Sequence, residues 1–202
     1  MSLVSVATLK TYLPEISGSS ADTALDSILS HTESIIARFL GFPIYDSGAL
    51  AVLTAQTYTL YIDGPMFSDQ SVLQLPILPI ISITSIHSDP NLAYGSSTEI
   101  TSAEYILDKQ LARVILKPET ATQGFDTAFR AIKVICSAGY VSAKDELSHA
   151  ICVYASQLQR NKSSQGKESA SQRGSTVQFS PKSMPFEVKE LLWPLQSSTM
   201  LV

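Results

Sequence analysis

The chain has 202 residues, 45% of them hydrophobic and 16% charged, with a formal net charge of -4. A chain of this length can close one domain with a sizeable core, burying roughly 70% of its unfolded surface. The acidic balance argues against a nucleic-acid binder held by phosphate contacts, and two cysteines, Cys136 and Cys152, are too few for a disulfide framework.

The opening MSLVSVATLK has no basic region followed by an apolar core, so no signal peptide is expected there. A short helix is predicted from about Ser5 to Leu13, capped by Ser5, with Val6, Leu9 and Leu13 on one side. Pro14 and Gly18 then break the chain. A second helix follows, with Ser20 or Asp22 as cap. Its apolar positions, among them Leu25, Ile28, Leu29, Ile35, Ile36 and Phe39, keep a three-and-four spacing up to Gly41, which suits a left-handed cap.

From about Tyr45 to Tyr140 the pattern is β. QTYTLYID alternates Tyr58, Leu60 and Ile62 against Thr57, Thr59 and Tyr61, and Asp63-Gly64 signals a turn. SVLQL, IISITSI, AEYILD, ARVILK and RAIKVICSA follow as short strands separated by Pro, Gly, Asn and Ser. Such a series predicts a small sandwich or barrel. LQLPILPIISI is the most apolar run, but it is short and broken by Pro76 and Pro79, so no membrane span is expected.

Helical spacing returns at about Ala143 to Asn161. Residues 162–183 hold seven serines and four cations, Lys162, Lys167, Arg173 and Lys182, against one Glu. That composition predicts a flexible basic arm. MPFEVKELLWPLQ then predicts a short terminal helix opening at Pro185 and stopped by Pro194.

Asp145, Glu146, His149 and Cys152 fall within eight positions and raise the question of a metal or catalytic site. At 100° per residue, Leu147, Ala150, Ile151, Tyr154 and Leu158 form a core stripe. Asp145, His149, Cys152, Ser156 and Arg160 fall on the opposite side. A structural zinc site needs four matched nitrogen or sulfur ligands. The other histidines, His31 and His87, have no cysteine or histidine partner at ligand spacing. There is no nucleophile elbow, phosphate loop or H-E-x-x-H motif. The reading is therefore a structural helix whose second side faces solvent or a neighbouring subunit, with no catalytic residue, cofactor or metal. The competing enzyme reading is a small hydrolase or metal enzyme using Asp145, His149 and Cys152.

The ordered motifs resemble the phage head–tail connector (adaptor) family of long-tailed bacteriophages and gene-transfer agents. Leu9, Lys10, Tyr12 and Leu13, then Asp22, Leu25, Ile36, Gly41 and Pro43, look like its N-terminal helical pair. LQLPILPIISITSI, EYILDKQLARVIL and the Ala-Gly-Tyr corner of IKVICSAGYVSAKDEL are similar to its strands and corner, and MPFEVKELLWPLQ to its closing segment. One departure is the missing proline after that corner, where Ser142 would cap the helix instead. A second is a sizeable β insertion that only some connectors carry.

The expected fold is α+β. It has N-terminal bundle helices in 1–44, an inserted antiparallel β domain in 45–140, a bundle helix in 141–161, and a flexible arm with a short terminal helix in 162–202. The resemblance implies a virion structural protein at the neck, made in the host cytoplasm. It also implies a homo-oligomeric ring, dodecameric by analogy, between the portal protein and a stopper or tail-side neck protein. DNA would pass through the lumen without sequence-specific binding. The arm would engage the portal through Val177, Phe179, Met184, Phe186, Leu191, Leu192 and Trp193, aided by Lys162, Lys167, Arg173 and Lys182. Another neck role, stopper or tail completion, fits less well, because those proteins are β-dominated and this chain has a long second helix.

Overall fold

The computed structural model describes residues 2–42, 51–67, 70–164, 169–172, 175–178 and 184–196. Helices and antiparallel sheets are both present, and the fold is α+β. The chain divides into two compact units. One joins Met1–Leu40 to Ser142–Gln196, and the other spans Gly41–Val141.

The helical unit begins with α1, Val6–Lys10. The Ser5 hydroxyl caps it by accepting the Thr8 N–H at 3.1 Å. The α-helix stops before the predicted Leu13. Tyr12 and Leu13 donate to the carbonyls three residues back, a tighter turn that ends at Pro14.

Helix α2, Asp22–Phe39, starts without a side-chain cap, contrary to the Ser20 or Asp22 expectation. Asp22 is instead its first residue and pairs with Lys10. Leu25, Leu29 and Ile36 are fully buried, whereas Ile28, Ile35 and Phe39 sit at the margin. Gly41, with φ of +86°, follows as the left-handed residue.

Helix α3, Asp145–Arg160, also lacks a side-chain cap and begins two residues later than Ala143. Its Leu147, Ala150, Ile151 and Tyr154 are buried, and it packs against α1, α2 and α4, Phe186–Leu192. Val188 and Leu192 of α4 are fully buried. Burying side chains of this size is worth about 1.5–3 kcal/mol each, which fixes α4 to its own unit. Glu33, buried on α2, accepts from the Ser2 hydroxyl at 2.5 Å and the Leu3 N–H at 2.8 Å, tying down the segment before α1.

The β unit has β1 Gln56–Ile62, β2 Val72–Gln74, β3 Ile80–Ser88, β4 Glu99–Ile100, β5 Tyr105–Asp108, β6 Arg113–Leu116 and β7 Ile132–Ala138. A four-stranded sheet runs β1-β7-β3-β4 and a three-stranded sheet runs β2-β6-β5. Asp63-Gly64 is therefore not a tight hairpin: β1 pairs with β7, far along the chain. Alternation along β7 buries Ile132, Val134, Cys136 and Ala138.

The Ala-Gly-Tyr corner depends on Gly139, whose φ is +114° and whose added Cβ would stand 2.7 Å from the Thr54 carbonyl oxygen. Tyr140 then donates to the Leu53 carbonyl at 2.8 Å, and its ring lies 6.3 Å from that of Phe42.

Within residues 162–183 the described residues include a small hairpin, with β8 Ser169–Gln172 paired to β9 Ser175–Gln178. The strands SASQ and STVQ lack the apolar alternation that marks a strand in sequence.

Candidate functional site

The sequence singles out two places, and the structure treats them differently. On α3, Asp145 and His149 are exposed, but Cys152 and Ser156 are buried, contrary to the expected polar outer side. The cover is α1 and the turn after it. The Tyr12 hydroxyl lies 2.9 Å from Nδ1 of His149, and the Arg160 guanidinium donates to the Tyr12 carbonyl and to Glu15, both at 3.0 Å. Burial pushes the Cys152 thiol up to about 11, and Cys136 likewise to about 11. A thiol so raised is a poor nucleophile and a poor metal ligand. Among the described residues, no group of three His, Cys, Asp or Glu side chains stands close enough to hold a metal ion.

The second place is α4 and the turn after it. Val188 and Leu192 point into the helical unit, so Leu192 anchors the helix rather than offering a contact. Phe186 and Trp193 are 72% and 71% exposed. With Glu190 between them they follow the spacing of one helical stripe. Together with Phe39, Lys189 and Pro194 they line an open, mostly apolar groove of about 640 Å³. Beside it, the Gln196 side-chain amide donates to the Phe39 carbonyl at 3.0 Å. Met184 and Leu191 are half-buried and Lys162 is exposed. Val177 lies on β9, while Phe179, Lys167, Arg173 and Lys182 fall outside the described residues.

Two exposed aromatic rings stand here beside one lysine and one glutamate. Phe39 was missed as a lining residue. Its three-and-four spacing with Leu25, Leu29 and Ile36 groups it with the core stripe, so local spacing does not mark it as a lining residue.

The architecture defines a class: a helical unit assembled from both ends of the chain, with an antiparallel β unit inserted between them. No protein-family model matches the sequence, and no curated protein matches it. Solved structures share the fold. One is a chain of the "Neck of native GTA particle computed with C12 symmetry", with a TM-score of 0.57 and 17% identity, covering 95% of this chain and 87% of that one. Another is a chain of the "Neck of empty GTA particle computed with C6 symmetry", with a TM-score of 0.56 and 18% identity, covering 95% of this chain and 88% of that one.

Proposed function

We propose that this protein is a structural component of a phage or gene-transfer-agent neck, and specifically the head–tail adaptor beneath the portal. The observation that carries this reading is the shared fold over 95% of the chain with chains of GTA necks. Those necks were computed with C12 and C6 symmetry, which supports a homo-oligomeric ring, with twelve copies by analogy. A head-to-tail side contact that closes by rotation builds such a ring without special chemistry. DNA would pass through the lumen, and a chain with a net charge of -4 would not grip it. The role is structural rather than enzymatic.

The arm is the portal-binding element in this reading. Phe186 and Trp193 supply the large apolar anchors, and Leu191 and Met184 support them. Lys162, with Lys167, Arg173 and Lys182, adds positive charge that speeds encounter with an acidic portal surface. Because Val188 and Leu192 are core residues, point changes at the exposed rings test docking better than truncation.

The test is co-sedimentation with purified portal rings, with negative-stain imaging of the pellet. Wild-type protein should pellet as a ring stacked on the portal. The double change Phe186→Ser, Trp193→Ser should keep the fold and lose most of the binding. Undiminished binding by the variant would remove the groove from the docking role, and no association of the wild-type protein would remove the adaptor reading.

A further inference from the structure

The hairpin of β8 and β9 is a sheet of two strands. Its register sets Ser169 across from Gln178, Ala170 from Val177, Ser171 from Thr176 and Gln172 from Ser175. Among the described residues, no other strand pairs with either one, and no backbone hydrogen bond leads out of the hairpin. In an antiparallel pair about half of the backbone N–H and C=O groups point away from the partner strand. Each outer edge is therefore a row of donors and acceptors with no strand on it.

These edges carry none of the usual protection. SASQ and STVQ hold no charged residue and no proline, and the register runs without a bulge. Charges, prolines and bulges are what ordinarily keep an edge from pairing with another chain. A lone two-stranded hairpin is also marginal in water, so strands this short gain from further strands alongside.

The number and direction of the edges select the occupant. A strand of a different protein would complete one edge and leave the other open. Two copies related by a two-fold axis would pair β8 with β8, or β9 with β9, and again leave one kind of edge open. A copy related by rotation about an axis along the strands brings its β8 against β9 of the first. Those two strands run antiparallel, as β8 and β9 do inside each copy. Repeated around a closed ring, this head-to-tail contact leaves no edge unpaired.

We infer that β8 of each copy pairs with β9 of the next, so that the hairpins of a ring of this chain close into one antiparallel barrel. The inference rests on the ring of the proposed function. Twelve copies, the symmetry of the C12 neck, give about 24 strands, more than the roughly 16–18 at which a barrel already encloses an aqueous channel. At about 4.8 Å between strands lying along the axis, the barrel backbone measures roughly 115 Å around and about 37 Å across. The register places Ser169, Ser171, Thr176 and Gln178 on one face of the hairpin, and all four are neutral and polar. Such a face suits a channel that passes DNA without gripping it.

The contact has a predicted register. Rotation keeps each residue at its height along the axis, so Ser171 and Thr176, level inside one hairpin, are level across the boundary as well. Strand tilt shifts this by a step of two residues, which brings in Ser169 or Gln178 on the same face.

The test is disulfide trapping between two differently tagged full-length forms made together in the producing cells. One form carries Ser169→Cys or Ser171→Cys, and the other Thr176→Cys or Gln178→Cys. The native Cys136 and Cys152 are buried, and the unmodified chain measures their background. After oxidation with copper phenanthroline, at least one combination should give a mixed disulfide about tenfold above the disulfides between like forms, because only β8 and β9 of adjacent copies come within bonding distance. Predominant disulfides between like forms, disulfides to another protein, or no disulfide in any combination would overturn the inference. Portal co-sedimentation of the same chains reads the adaptor role separately. Mixed disulfides without portal binding keep the barrel and remove the adaptor reading, and portal binding without mixed disulfides does the reverse.

Discussion

The hydroxyl of Tyr12 meets Nδ1 of His149 at 2.9 Å, joining the turn after α1 to the second helical turn of α3. That contact, with Arg160 reaching back to Glu15, closes the side of α3 that holds Cys152. Neither cysteine should therefore react with Ellman's reagent at about pH 8 while the protein is folded, because a buried thiol yields little thiolate. Both should react once denaturant is added. Fast labelling of Cys152 in the native protein would mean that α1 does not cover it.

Ile36→Ala and Ile151→Ala should each cost about 2–5 kcal/mol, because both side chains are fully buried between α2 and α3. Ile35→Ala, half-buried at the edge of the same helix, should cost about 1 kcal/mol. Urea unfolding of the three variants checks the order. An equal loss at 35 and 36 would contradict the rotation of the α2 stripe seen here.

Gly139→Ala should destabilise the β unit by about 1–3 kcal/mol from backbone strain alone. The close approach to Thr54 adds to this. Gly18→Ala, also at positive φ but with open space around it, should cost less. Thermal unfolding of the pair separates strain from crowding.

Glu104 accepts the backbone N–H and hydroxyl of Thr101 with one oxygen and those of Thr122 with the other. These bonds, led by the Thr122 hydroxyl, lower its carboxyl from 4.5 to about 2. A group depressed on folding contributes stability above its unfolded value, and that stability is lost as pH falls through the folded one. Stability should therefore decline between about pH 4.5 and pH 2 through this group, and Glu104→Gln should flatten that part of the profile. Denaturant midpoints measured across the range give the comparison.

The strands of the β unit were legible because alternation along QTYTLYI and IKVICSA has one physical cause, a sheet with one buried face. The β4 strand was not legible, since two residues carry no period. The β8–β9 hairpin was hidden by its serines, which pair through the backbone without an apolar pattern. Helix periodicity placed Leu147, Ile151 and Tyr154 in the core. It misplaced Cys152 because a helix covered by three neighbours has more than one buried side, which a single-stripe reading does not allow for. In the candidate site, Phe186 and Trp193 were legible as large apolar residues near a proline-bounded helix. That Leu192 turns inward while they turn outward depends on how α4 meets α3, a tertiary fact absent from local spacing.

The two-ended construction of the helical unit sets an order of events during synthesis. Residues 41–141 leave the ribosome as a continuous stretch carrying every strand of both large sheets, so the β unit has its full complement of partners early. Helices α1 and α2 emerge first yet lack their cover until α3 arrives about a hundred residues later, and Val188 and Leu192 come later still. Until then the Leu25–Leu29–Ile36 face of α2 stands open on the nascent chain. A folded insert shortens that wait in space, because it brings residues 41 and 141 together without the closure entropy of a free loop of the same length.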